Sequence, residues 1–279
     1  MGISAQGAEP ARLAPATAWN LRYDEQACRL VRTFGTDDSA VTLIIAKYSP
    51  DDDFEMMISG KGLKARGKKL RYRFVPAKNH ETEKEPLFGT GPGGVVTWQF
   101  RAGLVPEAEL ESLESMQWSA AYSALQVAEQ ARAAEVESFE VSAGMERSFV
   151  LVTGKLDAAF AALDTCLRDL VETWGFDPAV QQSLSARPEP ESAPGAWMSA
   201  NDYPSALLAE GLSGVVHFRL DVDSSGMPTN CAVQASFSDP EFKKVTCRLL
   251  MKRARFKPAK DASGNSVASY WATSVKWIM

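Results

Sequence analysis

From Val216 to Val222 the side chains alternate strictly, with Val216, Phe218, Leu220 and Val222 on one side and His217, Arg219 and Asp221 on the other. Only an extended strand, whose successive side chains point to opposite faces, buries the first set while keeping the second together on a polar face. Ser224-Ser225-Gly226 is a turn signal that stops this strand, and a second alternating run follows from Asn230 to Ala235, with Cys231 and Val233 on one face. Asp239-Pro240 then starts a helix. The Asp side chain accepts bonds from otherwise orphaned amides, and proline at the first helical position has no amide to orphan. Phe242, Val245, Leu249 and Leu250 form the apolar stripe of that helix, while Lys252, Arg253 and Arg255 gather near its C-terminus, where the helix dipole favours cations. After a turn from Asp261 to Gly264, a last strand runs from Val267 to Ile278. Tyr203 to Met279 therefore reads as a complete small α/β unit.

The order of features in this unit carries a resemblance. Tyr203-Pro204 comes first, then Gly211 with Ser213-Gly214, then a strand ending Asp221-Val222-Asp223 before Gly226. Arg255-Phe256 with Pro258-Ala259 follows, and a closing strand after Gly264. The set resembles the C-terminal domain of TonB-family energy transducers. The resemblance implies a three-stranded antiparallel sheet with helices, a periplasmic location, and a protein or peptide partner, such as the N-terminal segment of a TonB-dependent outer-membrane receptor. It implies binding by strand addition, in which an unpaired sheet edge is satisfied by a guest strand. The matching edge here is the closing strand, so Ser269, Tyr270, Trp271, Ala272, Thr273, Ser274 and Val275 are the residues expected to pair with a partner, with Tyr270 and Trp271 as candidate side-chain anchors. A homodimer is compatible with the same edge. A folded domain stands where an energy transducer has a membrane anchor and a long Pro-rich spacer, so envelope location and partner binding are expected rather than energy transduction itself.

The 279 residues suffice for one large or two modest domains. The expected architecture is α+β, with residues 1–18 a disordered end or signal-peptide remnant and 19–184 a mainly antiparallel β domain with helices. A Pro-rich linker at 185–196 and the TonB-like domain at 197–279 complete it. In the first stretch, Ala5 and Gly7 sit as the small residues of a signal-peptidase site. From Trp19 to about Arg101, short alternating runs are separated by Gly, Asp and Pro, the mark of a β-rich region. Helices are predicted from Pro106 to about Ala134, and from Lys155 to Gly175 with Leu156, Phe160, Leu163, Leu167, Leu170 and Val171 as its apolar stripe. No stretch reaches the roughly 18 to 20 apolar residues of a membrane-crossing helix, and a soluble chain is expected.

Four cysteines are present. Cys231 on the second strand and Cys247 in the helix packed on it form the natural bridge, which leaves Cys28 to pair with Cys166, as in an oxidising compartment. No CxxC spacing exists and only His80 and His217 are available, so no metal site is expected. A net charge of −5 argues against general nucleic-acid binding. Lys61, Lys64, Arg66, Lys68, Lys69, Arg71 and Arg73 make a local basic cluster, read as the wet face of a hairpin that turns Leu70, Tyr72 and Phe74 inward. The alternative function rests on that cluster: binding of envelope lipid or polysaccharide, with the TonB-like unit purely structural. The run Ser49-Pro50-Asp51-Asp52-Asp53 lacks the spaced ligands of a calcium loop. Gly89-Thr90-Gly91-Pro92-Gly93-Gly94 is followed by a strand and not by the Lys-Ser/Thr and helix of a phosphate loop. No catalytic signature stands out, His217 reads as a surface or hydrogen-bonded histidine, and neither enzymatic activity nor a cofactor is expected.

Overall fold

The computed structural model describes residues 9–50, 53–76, 81–90, 92–113, 115–236 and 239–279. Ala5 and Gly7 of the signal reading, Asp51 and Asp52 of the acidic turn, His80 and Gly91 lie outside the described residues. The chain is α+β throughout, with antiparallel sheets and helices in both halves.

The N-terminal part holds two sheets. One has six strands, in spatial order Asn20–Asp24, Ala27–Phe34, Val41–Lys47, Phe54–Gly60, Val96–Ala102 and Leu87–Thr90, all antiparallel. The other has five: Ala11–Leu13, Phe149–Leu151, Ser138–Ala143, Leu70–Val75 and Thr82–Lys84, of which only the first pair is parallel. Their inner faces share one core with the helix Asp157–Thr173, built on Phe54, Tyr72, Phe100, Phe139 and Phe160. Phe54 meets both Phe160 and Phe74 edge-on, and Tyr72 meets Phe100 and Phe139, so aromatic rings bridge the layers. The disulfide Cys28–Cys166 joins the second strand of the larger sheet to that helix. A buried ion pair, Lys47 to Glu129 at 2.6 Å, ties the same sheet to the helix Trp118–Glu135. The predicted helical region after Pro106 is thus two helices, Glu107–Leu113 and Trp118–Glu135.

Two boundary expectations are corrected. Residues 11–18 are not disordered: Ala11–Leu13 pairs with Phe149–Leu151, and the amides of Ala16 and Thr17 donate to the carbonyl of Thr33. The sequence there lacks alternation because a three-residue strand is too short to show a period. The supposed linker at 185–196 is not a free tether either. Ser185 donates its amide to Lys260, Glu189–Pro190 pairs with Phe256–Lys257, and Glu191 donates to Arg255. Its prolines are compatible with an edge position, where a missing amide costs no ladder bond. The strap ends in Trp197, buried against Phe256 and Trp271.

The C-terminal unit is a three-stranded antiparallel sheet in the order Pro228–Ser236, Gly214–Val222, Ser269–Trp277, with the helix Pro240–Arg253 on one face. Asp239 caps that helix by accepting from the amide of Glu241. Val216, Phe218, Leu220 and Val222 face the helix and pack on Phe242, Val245, Leu249 and Leu250 in two adjoining clusters. The disulfide Cys231–Cys247 pins sheet to helix. Gly226, at φ +87°, turns the hairpin where a Cβ would run into the carbonyl oxygen of Phe256, so only glycine fits.

Candidate functional site

The polar side of the central strand is a second buried face, packed on the N-terminal sheets rather than exposed to water. Arg219 is 3% exposed, lies 4.0 Å over the ring of Trp174, and donates to Asp221 at 2.7 Å and to Gln26 at 3.0 Å. His217 is 6% exposed and stacked on Tyr48, with Nε2 3.4 Å from Glu55. Burial, with Arg101 and Lys276 nearby, pushes this imidazole down to about 4, so it is neutral at pH 7. Gln234 occupies a bulge in its strand and donates to the carbonyl of Tyr48. Of the two expectations for His217, a surface or a hydrogen-bonded histidine, the surface one fails, because alternation reports which residues share a face, not what covers it. Tyr270, on the same face, is gripped by Trp174 and Phe176 at ring distances of 5.1 and 5.6 Å. Beside the seam, a groove of about 630 Å³ is rimmed by Asp24, Glu25, Asp169 and Asp221.

The closing strand has one hydrogen-bonded neighbour among the described residues, Gly214–Val222, in register from Val222 opposite Ser269 to Gly214 opposite Trp277. Which of its backbone groups are used follows from alternation. Asp223 donates its amide back across the hairpin to Met227, so Asp221, Arg219 and His217 direct their amides and carbonyls to the hairpin partner. Val222, Leu220, Phe218 and Val216 direct theirs to the closing strand, satisfying Ser269, Trp271, Thr273 and Val275. The backbone groups of Ala272, Ser274 and Lys276 consequently face the outer edge. The carbonyl of Ala268, in phase with these, accepts from Gln181 Nε2 at 3.2 Å, and Gln181 Oε1 accepts from Ser269 Oγ at 2.6 Å. Gln181 therefore closes one end of the edge.

The seven residues expected to pair with a partner divide. Ala272, Thr273, Ser274 and Val275 are half-buried, and Ser269 is buried with its hydroxyl on Gln181. Tyr270 and Trp271 do not offer free rings as anchors. The first is held by the N-terminal domain, and the second packs among Trp197, Phe218 and Phe256. What the edge presents is backbone. Sequence reasoning missed Gln181 and Lys276; the phase of the outward groups was available from the Asp223 hairpin, but the end stop at Gln181 comes from 88 residues away.

The basic cluster has its aliphatic and aromatic partners inward, with Leu70 and Tyr72 buried and Phe74 partly so. Lys64 pairs with Glu146, Lys69 with Glu83, Arg71 with Glu81 and Arg73 with Glu140. No helix among the described residues is long and apolar enough to cross a membrane.

Residues 199–279 match the family model of the Gram-negative bacterial TonB protein C-terminal. This segment is a TonB C-terminal domain. No curated protein and no solved structure matches the chain. A TonB C-terminal domain marks a TonB-like envelope protein with protein partners, and with the two disulfides it indicates an extracytoplasmic chain. The family match begins two residues after Trp197, so the strap that ends in Trp197 lies outside the matched segment and packs against it.

Proposed function

We propose that this protein works in the periplasm as a binding protein, without enzymatic activity, and that its TonB C-terminal domain takes a partner peptide or protein, such as an outer-membrane receptor segment, by strand addition in a transport-linked role. The observation that carries this reading is the outer edge of the closing strand, where the backbone groups of Ala272, Ser274 and Lys276 point away from the sheet. A row of unsatisfied donors and acceptors at a sheet edge is a template for an extended guest, which gains a ladder of hydrogen bonds without rearranging the host. The opposite face of the domain supports the reading, because Trp174 and Phe176 hold Tyr270 and keep the strand from fraying. The preformed edge spares the complex the cost of ordering it on binding. Two disulfides suit an oxidising compartment.

The test is amide hydrogen exchange on the full chain, with and without synthetic peptides from the N-terminal segments of outer-membrane receptors. Added protection confined to Ala272, Ser274 and Lys276 is the expected result. Protection elsewhere, or none with any such peptide, contradicts strand addition here.

A further inference from the structure

The helix Pro240–Arg253 is an outermost layer, since the sheet beneath it is covered on its other face by Tyr48, Gln26 and Trp174 of the N-terminal domain. It carries five basic residues and one acid, Glu241, in a chain whose net charge is −5. Lys244, Arg248 and Lys252 recur at every fourth position, so they stand in one row, about 6 Å apart along the axis. All three are exposed, and the Cys231–Cys247 bridge, tying a neighbouring side of the helix to the sheet, fixes the direction in which the row faces.

Their charge is not neutralised within the chain. Lys244 reaches only Glu241, at 3.6 Å, and with its side chain 75% exposed this pair is weak. Among the described residues no carboxylate stands within ion-pair distance of Lys243, Arg248 or Lys252. In the hairpin cluster, by contrast, Glu81, Glu83, Glu140 and Glu146 lie among the cations. The helix dipole accounts for Lys252 and Arg253 in the last turn, but not for Arg248 at mid-helix or for Lys243 and Lys244 near the other end, and like charges four residues apart repel. Near that other end, the short helix Ser205–Ala209, whose Leu207 packs beside Phe242, leaves Leu208 49% exposed and is followed by Leu212 at 40%.

We infer that this helix face rests on an anionic phospholipid membrane, with Lys244, Arg248 and Lys252 on the head groups and the two leucines at the acyl boundary. The combination selects lipid: head-group phosphates answer the cationic row and the acyl boundary answers the leucines, whereas a soluble acidic chain offers only the first. Docked in this way, the sheet lies flat along the membrane, and the outer edge of the closing strand runs parallel to the surface. The inference does not depend on strand addition.

The full-length chain is mixed with vesicles of phosphatidylcholine alone, or of phosphatidylcholine with an equal part of phosphatidylglycerol, and the bound fraction is read by flotation. Each cation at such a surface is worth about fivefold in partitioning, so Lys244→Gln, Arg248→Gln and Lys252→Gln together should weaken binding to the anionic vesicles about a hundredfold. Wild-type binding should also fall as salt is raised. A charge-matched variant at the exposed hairpin cations, Lys61→Gln, Arg66→Gln and Lys68→Gln, should bind as wild type does, and so should Ser274→Pro. Equal binding to the two vesicle compositions, no binding to either, or the same loss in the hairpin variant overturns the inference. Capture of soluble polyglutamate in place of vesicles assigns the face to an acidic protein partner and overturns it as well, and none of these results touches strand addition.

Discussion

Arg219 brings a charge into the seam and is matched there on three sides, by Asp221, Gln26 and the face of Trp174. Replacing it with methionine keeps much of the volume but removes the charged partner of Asp221, whose carboxylate is then left with Asn230 at 2.8 Å as its remaining side-chain donor. The loss should be about 3 kcal/mol, read as a lower denaturant midpoint. His217 supplies a pH signature. Burial holds its folded pKa near 4 against 6.5 for the ordinary group, so the unfolded chain binds the proton first. Its contribution is complete above about pH 6.5 and is lost as pH falls toward about 4. Thermal melts compared across this window should show wild type losing stability on acidification more steeply than His217→Gln, whose remaining slope belongs to the carboxylates. Parallel slopes for the two proteins would place the effect elsewhere. Asp202 acts in the same direction at lower pH, because the Arg253 guanidinium, bonded to it at 2.7 and 2.8 Å, holds its carboxyl below the usual range.

The phase of the closing strand separates two proline substitutions one residue apart. Thr273 gives its amide to the central strand, so Thr273→Pro breaks an inner ladder bond and should cost about 3 kcal/mol. Ser274 directs its amide outward, where proline is tolerated, so Ser274→Pro should fold nearly as well as wild type and fail to bind a guest strand. Circular dichroism melts beside peptide titrations distinguish the two, and equal destabilisation would mean that the phase is misassigned. Much of this element could be read in advance. The alternation of Val216 to Val222 placed the central strand, Asp239-Pro240 placed the helix start, and the Cys231–Cys247 bridge followed from where its cysteines fall on these elements, leaving Cys28 to Cys166 by elimination. Those are local signals, set by periods of two and 3.6 and by capping chemistry. The seam on His217 and Arg219, the strap and the stop at Gln181 were not readable. They depend on contacts between residues far apart in the chain, and a polar strand face looks alike whether it meets water or a second sheet.

Across the entire chain the two bridges constrain very different lengths of polypeptide. Cys231–Cys247 spans 16 residues and Cys28–Cys166 spans 138, so loop entropy alone assigns them about 3 and about 5 kcal/mol. Removing the longer bridge by a paired Cys28→Ala and Cys166→Ala change should therefore lower the melting temperature more than removing the shorter one. Equal effects would indicate that the unfolded chain is already compact around the first pair. The seam makes a further demand, that both parts melt in one calorimetric transition; two separated peaks would show that they are held together only loosely. The strap carries its own lesson for anyone cutting this protein apart. Trp197 plugs the end of the C-terminal core against Phe256 and Trp271, yet it precedes the first residue of the recognised family unit. A fragment trimmed to that unit would discard its own stopper and leave a hydrophobic opening beside Trp271 of the closing strand, where sticky, misleading association would masquerade as ligand capture.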